Sequence, residues 1–252
     1  MKEGKKIFFA SDFHLGAPNR EESLQRERRI VQWLNDIQPQ AEALYLLGDV
    51  FDFWFEYKKA VPKGFVRFLG KMAEFCDQGI PVHFFTGNHD LWIFDYLPRE
   101  VGFIIHRQPL EVTLGERRFY MAHGDGLGKG DGRFKILKKV FTNPLAQWLF
   151  GRLHPNLGIA LAHSWSLSSR NVHAEPEEFR GEKEEMLVQH ARGMLKKSHF
   201  DYLLFGHRHV AVDYPLNENA RYINLGDWIH HNTYGVFDGQ NFELKTYDSP
   251  VS

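Results

Sequence analysis

Five short clusters carry residue types that bind metal ions and move protons. They are Asp12-Phe13-His14, Gly48-Asp49-Val50-Phe51-Asp52, Gly87-Asn88-His89-Asp90, His123-Gly124-Asp125 and Gly206-His207-Arg208-His209. Asp12 and His14 stand two apart, as do His207 and His209, so an extended backbone points each pair to one side. The glycines beside them permit sharp turns and leave room for a ligand. Together the clusters offer more carboxylate, amide and imidazole donors than one ion can use. They suit two divalent ions that share a carboxylate, clamp a phosphoryl group and acidify a bound water. Mixed oxygen and nitrogen donors favour Mn²⁺, Fe or Zn²⁺ over Ca²⁺, and the lack of thiolates speaks against a structural zinc. Any one cluster alone would read as a turn or a satisfied polar pair. Five in order leave that reading little room.

The elements that must position these clusters are legible as short apolar runs. Lys6–Ala10, Ala43–Leu47 and Val82–Thr86 read as buried strands that end in the first three clusters. Ser23–Ile37 and Phe65–Cys76 carry helical apolar stripes between them. Alternating β and α elements predict an α/β fold with a largely parallel sheet, helices outside it, and reactive groups at the carboxyl ends of the strands. Beyond Gly102, Ile104–His106, Leu110–Leu114 and Arg118–Ala122 read as shorter strands, the last leading into His123. Residues 131–170 read as helical with breaks at Asn143-Pro144 and His154-Pro155, and Glu177–Lys197 as a further helix. Tyr202–Phe205 is a strand ending in the fifth cluster, and Val210–Tyr247 reads as a meander.

Composition narrows the classes. With 43% hydrophobic residues and 15% aromatics the chain is too apolar to be disordered. A net charge of −1 speaks against a general nucleic-acid binder, so no nucleic-acid partner is expected. No apolar run reaches the roughly 20 residues that span a bilayer. The apolar stretch at Ile7–Ala10 is too short for a signal peptide, and the single Cys76 agrees with a reducing compartment. The chain is expected in the cytoplasm.

The ordered set D-x-H, G-D-x-x-D, G-N-H-D, H-G-D and G-H-x-H resembles the motifs of calcineurin-like metallophosphoesterases, from Asp12 to His209. That resemblance implies a four-layer α/β/β/α sandwich with a helical lid. It implies one metal held by Asp12, His14, Asp49 and His209, and a second by Asp49, Asn88, His123 and His207, with Asp49 shared. His89 would face the phosphoryl group, and Asn88 and His89 would both meet substrate. Asp90 would orient His89 or cap a turn; these two readings stand level. Asp52 and Asp125 would brace ligands or loops; Arg208, set between two ligands, is open to facing phosphate or solvent, and solvent is the preferred reading.

The stretch between His123 and His207 is longer than a strand connection needs. Residues 131–170 hold six basic residues and one acidic, net +5, against −1 for the whole chain. Phe134, Leu137 and Phe141 share one helical face, and Leu145, Trp148, Leu149 and Leu153 another. A wide apolar stripe with a basic edge suits a lid, residues 131–175 within a single domain 1–252, that receives acyl chains and an anionic head group. Phe134 and Arg170 are its candidate substrate contacts. Plain packing on the core explains the apolar residues but not the charge bias. The combination is similar to the branch of the family that splits the pyrophosphate of UDP-2,3-diacylglucosamine into UMP and 2,3-diacylglucosamine 1-phosphate, usually with Mn²⁺, at the cytoplasmic face of the inner membrane. The chain departs from the best-known members at His89, where they carry Arg, and a His can give up a proton where an Arg does not. Competing readings are a phosphodiesterase or phosphatase on another nucleotide, lipid or phosphoprotein, a non-enzymatic scaffold, and a nuclease.

Overall fold

The apolar runs that end in the five clusters are inner strands of two facing sheets. The computed structural model describes residues 1–128, 138–170 (side chains to 162) and 178–248. The first sheet contains β1 (Lys6–Ala10), β2 (Ala41–Leu46), β3 (Val82–Phe85) and β4 (Ile104–His106), side by side and parallel. The second contains β5 (Leu110–Leu114), β6 (Arg117–Met121), β7 (Tyr202–Phe205), β8 (Ala211–Pro215) and β9 (Arg221–Leu225), in the order β5-β6-β7-β9-β8. The last two strands, β10 (Thr233–Phe237) and β11 (Phe242–Thr246), return to the first sheet, where β10 runs antiparallel to β1.

Alternation along the strands builds the layers. Ile7 and Phe9 of β1 and Ala43 and Tyr45 of β2 face the second sheet, where Phe119, Met121, Leu204 and Ile223 meet them. Phe8, Leu44 and Leu46 point the other way, onto α1 (Arg20–Ile37) and α2 (Val66–Asp77) through Ile30, Trp33, Leu34, Phe68 and Met72. Leu187, Val188 and Ala191 of α5 (Met186–Leu195) cover the far face of the second sheet over Leu203, Phe205 and Tyr222. Strands buried on both faces must be apolar throughout, which is why they read as unbroken runs. The order helix, sheet, sheet, helix is the expected sandwich.

The helix ends rest on identifiable groups. Asn19 Oδ1 accepts from the N–H groups of Glu21 and Glu22, so α1 starts three residues before the apolar stripe does. Glu27, buried in α1, accepts from the N–H groups of Arg67 and Phe68 and so caps α2 from a neighbouring helix. The helix expected over Glu177–Lys197 is corrected: it begins at Met186. Gly181 sits at φ +85°, and no apolar residue between 180 and 185 could pack against the sheet. Apolar spacing begins only at Leu187. The expected C-terminal meander is corrected too, because β9 and β10 lie in different sheets. In the inserted region, α3 (Pro144–Phe150) and α4 (Pro155–Arg170) begin at the two predicted breaks. Among the described residues no helix is long and apolar enough to cross a membrane.

Phe119 lies fully buried between the sheets, 4.9 Å from the Tyr202 ring and 5.0 Å from that of Phe237. Phe119→Ala is expected to cost about 3–5 kcal/mol in urea unfolding followed by circular dichroism. A loss under about 1 kcal/mol would show that the sheets do not depend on this contact.

Candidate metal centre

The loops after β1, β2, β3, β6 and β7 converge at one end of the two sheets. The first two are laced together by backbone bonds: Asp12 N–H to Gly48 O (3.0 Å), His14 N–H to Asp49 O (2.9 Å) and Leu15 N–H to Val50 O (2.9 Å). Arg26, buried in α1, donates to the carbonyls of Phe13 and His14. Asp12, His14, Asp49, His207 and His209 all hold positive φ, between 43° and 68°. Non-glycine residues take that conformation only when their surroundings enforce it. Gly87 is required by contact rather than by φ: a Cβ there would stand 2.1 Å from Asp49 Oδ1. At Gly206 a Cβ would meet Asp12 Oδ2 at 2.5 Å.

Two donor groups result, one on each side of Asp49. In the first, the Nε2 atoms of His14 and His209 lie 3.0 Å apart, and Asp12 Oδ1 stands 3.3 Å from His209 Nε2 and 3.8 Å from His14 Nε2. In the second, His123 Nε2 lies 3.2 Å from Asp49 Oδ2 and 3.4 Å from Asn88 Oδ1, with the His207 ring centred 5.1 Å from that of His123. Asp49 Oδ2 is also 3.9 Å from His14 Nε2, so it reaches toward both groups. His123 Nδ1 donates to Leu47 O at 2.7 Å, which fixes its tautomer and turns Nε2 toward Asp49. Asp12 Oδ1 makes no well-aligned hydrogen bond with the described residues although no solvent reaches it. A buried carboxylate oxygen left so, with imidazole nitrogens pointing at the same space, fits a divalent cation.

The electrostatics agree with that fit. Burial alone would raise the Asp12 and Asp49 carboxyls, yet the imidazoles around them hold both well below the usual carboxylate range. Burial opposes the charged form of His123 and His209 as well. Asp49 nevertheless raises His123 to about 10, and Asp12 and Asp227 raise His209 to about 10. His207 goes the other way, down to about 4, through burial and the neighbouring His123. Without metal, protons on His123 and His209 supply the positive charge that the carboxylates demand.

The remaining predicted residues fall as follows. His89 joins His14 and Asp49 in a third donor group, its ring 4.9 Å from that of His14. Its Nδ1–H donates to the Asp52 carbonyl at 2.9 Å, and its backbone N–H donates to Asp49 Oδ1. Asp90 is the turn cap of its two readings. Its oxygens accept from Gly87 N–H at 2.7 Å and Val50 N–H at 2.9 Å, joining the loops after β2 and β3, and Asp52 is the residue set against the His89 ring. Burial and the Asp49 charge push Asp90 up to about 7. Arg208 is corrected: it grips the buried Glu185 with two nitrogens, at 3.1 and 3.2 Å, because a carboxylate at the start of α5 lies within reach. Asp125 is paired with Lys138 at 2.5 Å. Phe134 lies outside the described residues, as do 171–175 of the expected lid. Arg170 closes α4, and its side chain too lies outside them.

Sequence reasoning passed over Asp227. It follows β9 in Leu225-Gly226-Asp227, the same order of apolar strand, glycine and aspartate as Leu47-Gly48-Asp49. Its carboxylate stands 3.3 Å from His209 Nδ1.

Above the site, the Phe150 ring of α3 packs at a tilt against Phe55 and Trp92, with centroids 4.8 and 4.6 Å away, and Trp92 Nε1–H donates to Phe141 O. The inserted helices therefore stand on the loops that follow β2 and β3. Their outer side leaves Leu145, Trp148, Leu149, Leu157 and Leu161 each more than half exposed, with the Arg152 guanidinium over the Trp148 ring at 4.7 Å.

The profile of the calcineurin-like phosphoesterases matches residues 5–211. A UDP-2,3-diacylglucosamine hydrolase of Porphyromonas gingivalis is 40% identical, over 96% of this chain and 98% of its own length. A UDP-2,3-diacylglucosamine hydrolase of a Shewanella species is 24% identical, over 96% of each chain. Among solved structures, Vacuolar Protein Sorting 29 from Cryptosporidium parvum aligns with a TM-score of 0.45 at 12% identity, covering 98% of this chain and 99% of that chain.

A pH dependence follows from the raised imidazoles. His123 and His209, raised to about 10, carry protons at pH 7 and must lose them to ligate. Adding Mn²⁺ to metal-free protein at pH 7 is expected to release about two protons or more, read with a pH indicator in weak buffer. Affinity should fall as pH is lowered. Binding with no proton release would contradict this charge balance.

Proposed function

The chain belongs to the calcineurin-like phosphoesterases, and from that premise we propose that it cleaves the pyrophosphate of UDP-2,3-diacylglucosamine, giving UMP and 2,3-diacylglucosamine 1-phosphate at the cytoplasmic face of a membrane. The observation that carries the reading is one buried carboxylate, Asp49, flanked by imidazoles on both sides beneath helices whose outer face is apolar. The relatives named for this substrate, which match nearly the whole chain, support it.

Asp12, His14, Asp49 and His209 would hold one cation, and Asp49, Asn88, His123 and His207 the other, Mn²⁺ being the favoured metal. Two such cations supply charge neutralisation of the phosphoryl oxygens and acidification of the attacking water. The protein's own part is placement. With Nδ1–H committed to the Asp52 carbonyl, His89 has the Nε2 lone pair left to take up a proton, and only the protonated ring donates from Nε2 to a phosphoryl oxygen. Asp90 ties the Asn88-His89 loop to the Asp49 loop, so the diphosphate meets groups already in position. Residues 131–175 serve as a lid within the single domain. Their aromatic underside over Trp92 suits acyl chains, and the outward Leu145, Trp148 and Leu149 suit contact with a lipid surface.

Two experiments test this. Purified protein with Mn²⁺ should release UMP from UDP-2,3-diacylglucosamine far faster than it hydrolyses an aryl phosphodiester. Turnover of the aryl ester alone would overturn the substrate assignment. His89→Ala should lower turnover about 100-fold or more with metal content unchanged. A matching loss of bound metal would make His89 a structural residue or a ligand.

A further inference from the structure

Asp227 is buried completely, and its two carboxylate oxygens face different ways. Oδ1 accepts from the backbone N–H groups of His230 at 2.8 Å and His231 at 3.0 Å, and the His231 ring Nδ1 lies 3.2 Å from it. Oδ2 is 3.3 Å from His209 Nδ1 and meets no other polar partner among the described residues. The opposite nitrogen of that ring, Nε2, points at Asp12 Oδ1 and His14 Nε2. The backbone reinforces the placement: the next residue, Trp228, donates its N–H to Asp12 O at 3.2 Å, and Asn224 at the end of β9 donates to Gly206 O at 2.7 Å, at the base of the His207–His209 loop.

We propose that Asp227 is a positioning residue for the cation site formed by Asp12, His14 and His209: its carboxylate holds the His209 proton on Nδ1 and thereby keeps the Nε2 lone pair aimed at the cation. The proposal rests on the reading of that triad as a cation site. An imidazole presents one lone pair when neutral, and the group behind the ring decides which nitrogen bears it. His123 gets the same service from a backbone carbonyl, that of Leu47. His209 lies in a loop that offers it a carboxylate from another strand.

The test compares Asp227→Asn with Asp227→Ala in the full chain, using Mn²⁺ alone and following free Mn²⁺ by electron paramagnetic resonance. The Asn amide keeps an oxygen for the His230 and His231 N–H groups but turns an N–H donor toward His209 Nδ1, which forces the proton onto Nε2. Ala loses the loop bonds but places no donor there. The positioning role therefore predicts that one of two bound Mn²⁺ weakens about 10- to 100-fold in the Asn variant and less in the Ala variant, with the second ion unchanged in both. A purely structural role predicts the reverse ranking, because only Ala removes the loop bonds, and that ranking would overturn the proposal. So would wild-type affinity in both variants. If Asp227→Asn does not fold, unchanged affinity of both ions in Asp227→Ala overturns it alone. Wild-type protein that fails to take up two Mn²⁺ would instead sink the cation reading itself.

Discussion

Six aspartates are buried at one end of two sheets: Asp12, Asp49, Asp52, Asp90, Asp125 and Asp227. Bringing that much negative charge out of water is the constraint to which the rest of the molecule answers, because an isolated buried carboxylate costs several kcal/mol unless something compensates it. Backbone N–H groups quiet Asp90 and one oxygen of Asp227, and a lysine pairs with Asp125. Asp12 and Asp49 each accept one backbone N–H, from His207 and His89, and the charged compensation around them among the described residues is imidazole, which can be protonated or can ligate a cation. The same arrangement thus holds together without metal and is ready for it.

The backbone bears the cost of this crowding. Five of the seven non-glycine residues with positive φ among those described are Asp12, His14, Asp49, His207 and His209. Such conformations cost about 1–3 kcal/mol each and survive where neighbouring structure over-determines them. Here that structure is the rigid pair of sheets, whose strands end just before each strained residue. Loops alone could not hold five left-handed residues around one carboxylate.

Much of this was legible in the sequence because strands buried on both faces must be apolar, and the polar clusters are what interrupts them. Lys6–Ala10 and Tyr202–Phe205 are readable to the residue for that reason, whereas the edge strands Ile104–His106 and Leu110–Leu114 are marked by their short length and, in the second, by apolar-polar alternation. The helix at Met186 reads from the sequence as starting nine residues early because acidic side chains look helical before any packing face exists. Asp227 escapes notice since the two residues after it are Trp228 and Ile229 rather than a second donor; only the Gly-Asp pair after an apolar strand marks it. The Arg208–Glu185 pair was invisible, as no local pattern predicts which acid comes within reach of a given arginine across 23 positions of chain.

The donor groups join parts of the chain that are far apart in sequence: His14 meets His209 across 195 positions, and His123 closes on Leu47 across 76. Closing such loops is entropically slow, and nothing local pre-forms the site. During synthesis, a chain still lacking β7 and the loop after it offers a cation only part of either group. Completion of both groups around Asp49 therefore belongs to the end of folding, after the sheets have docked.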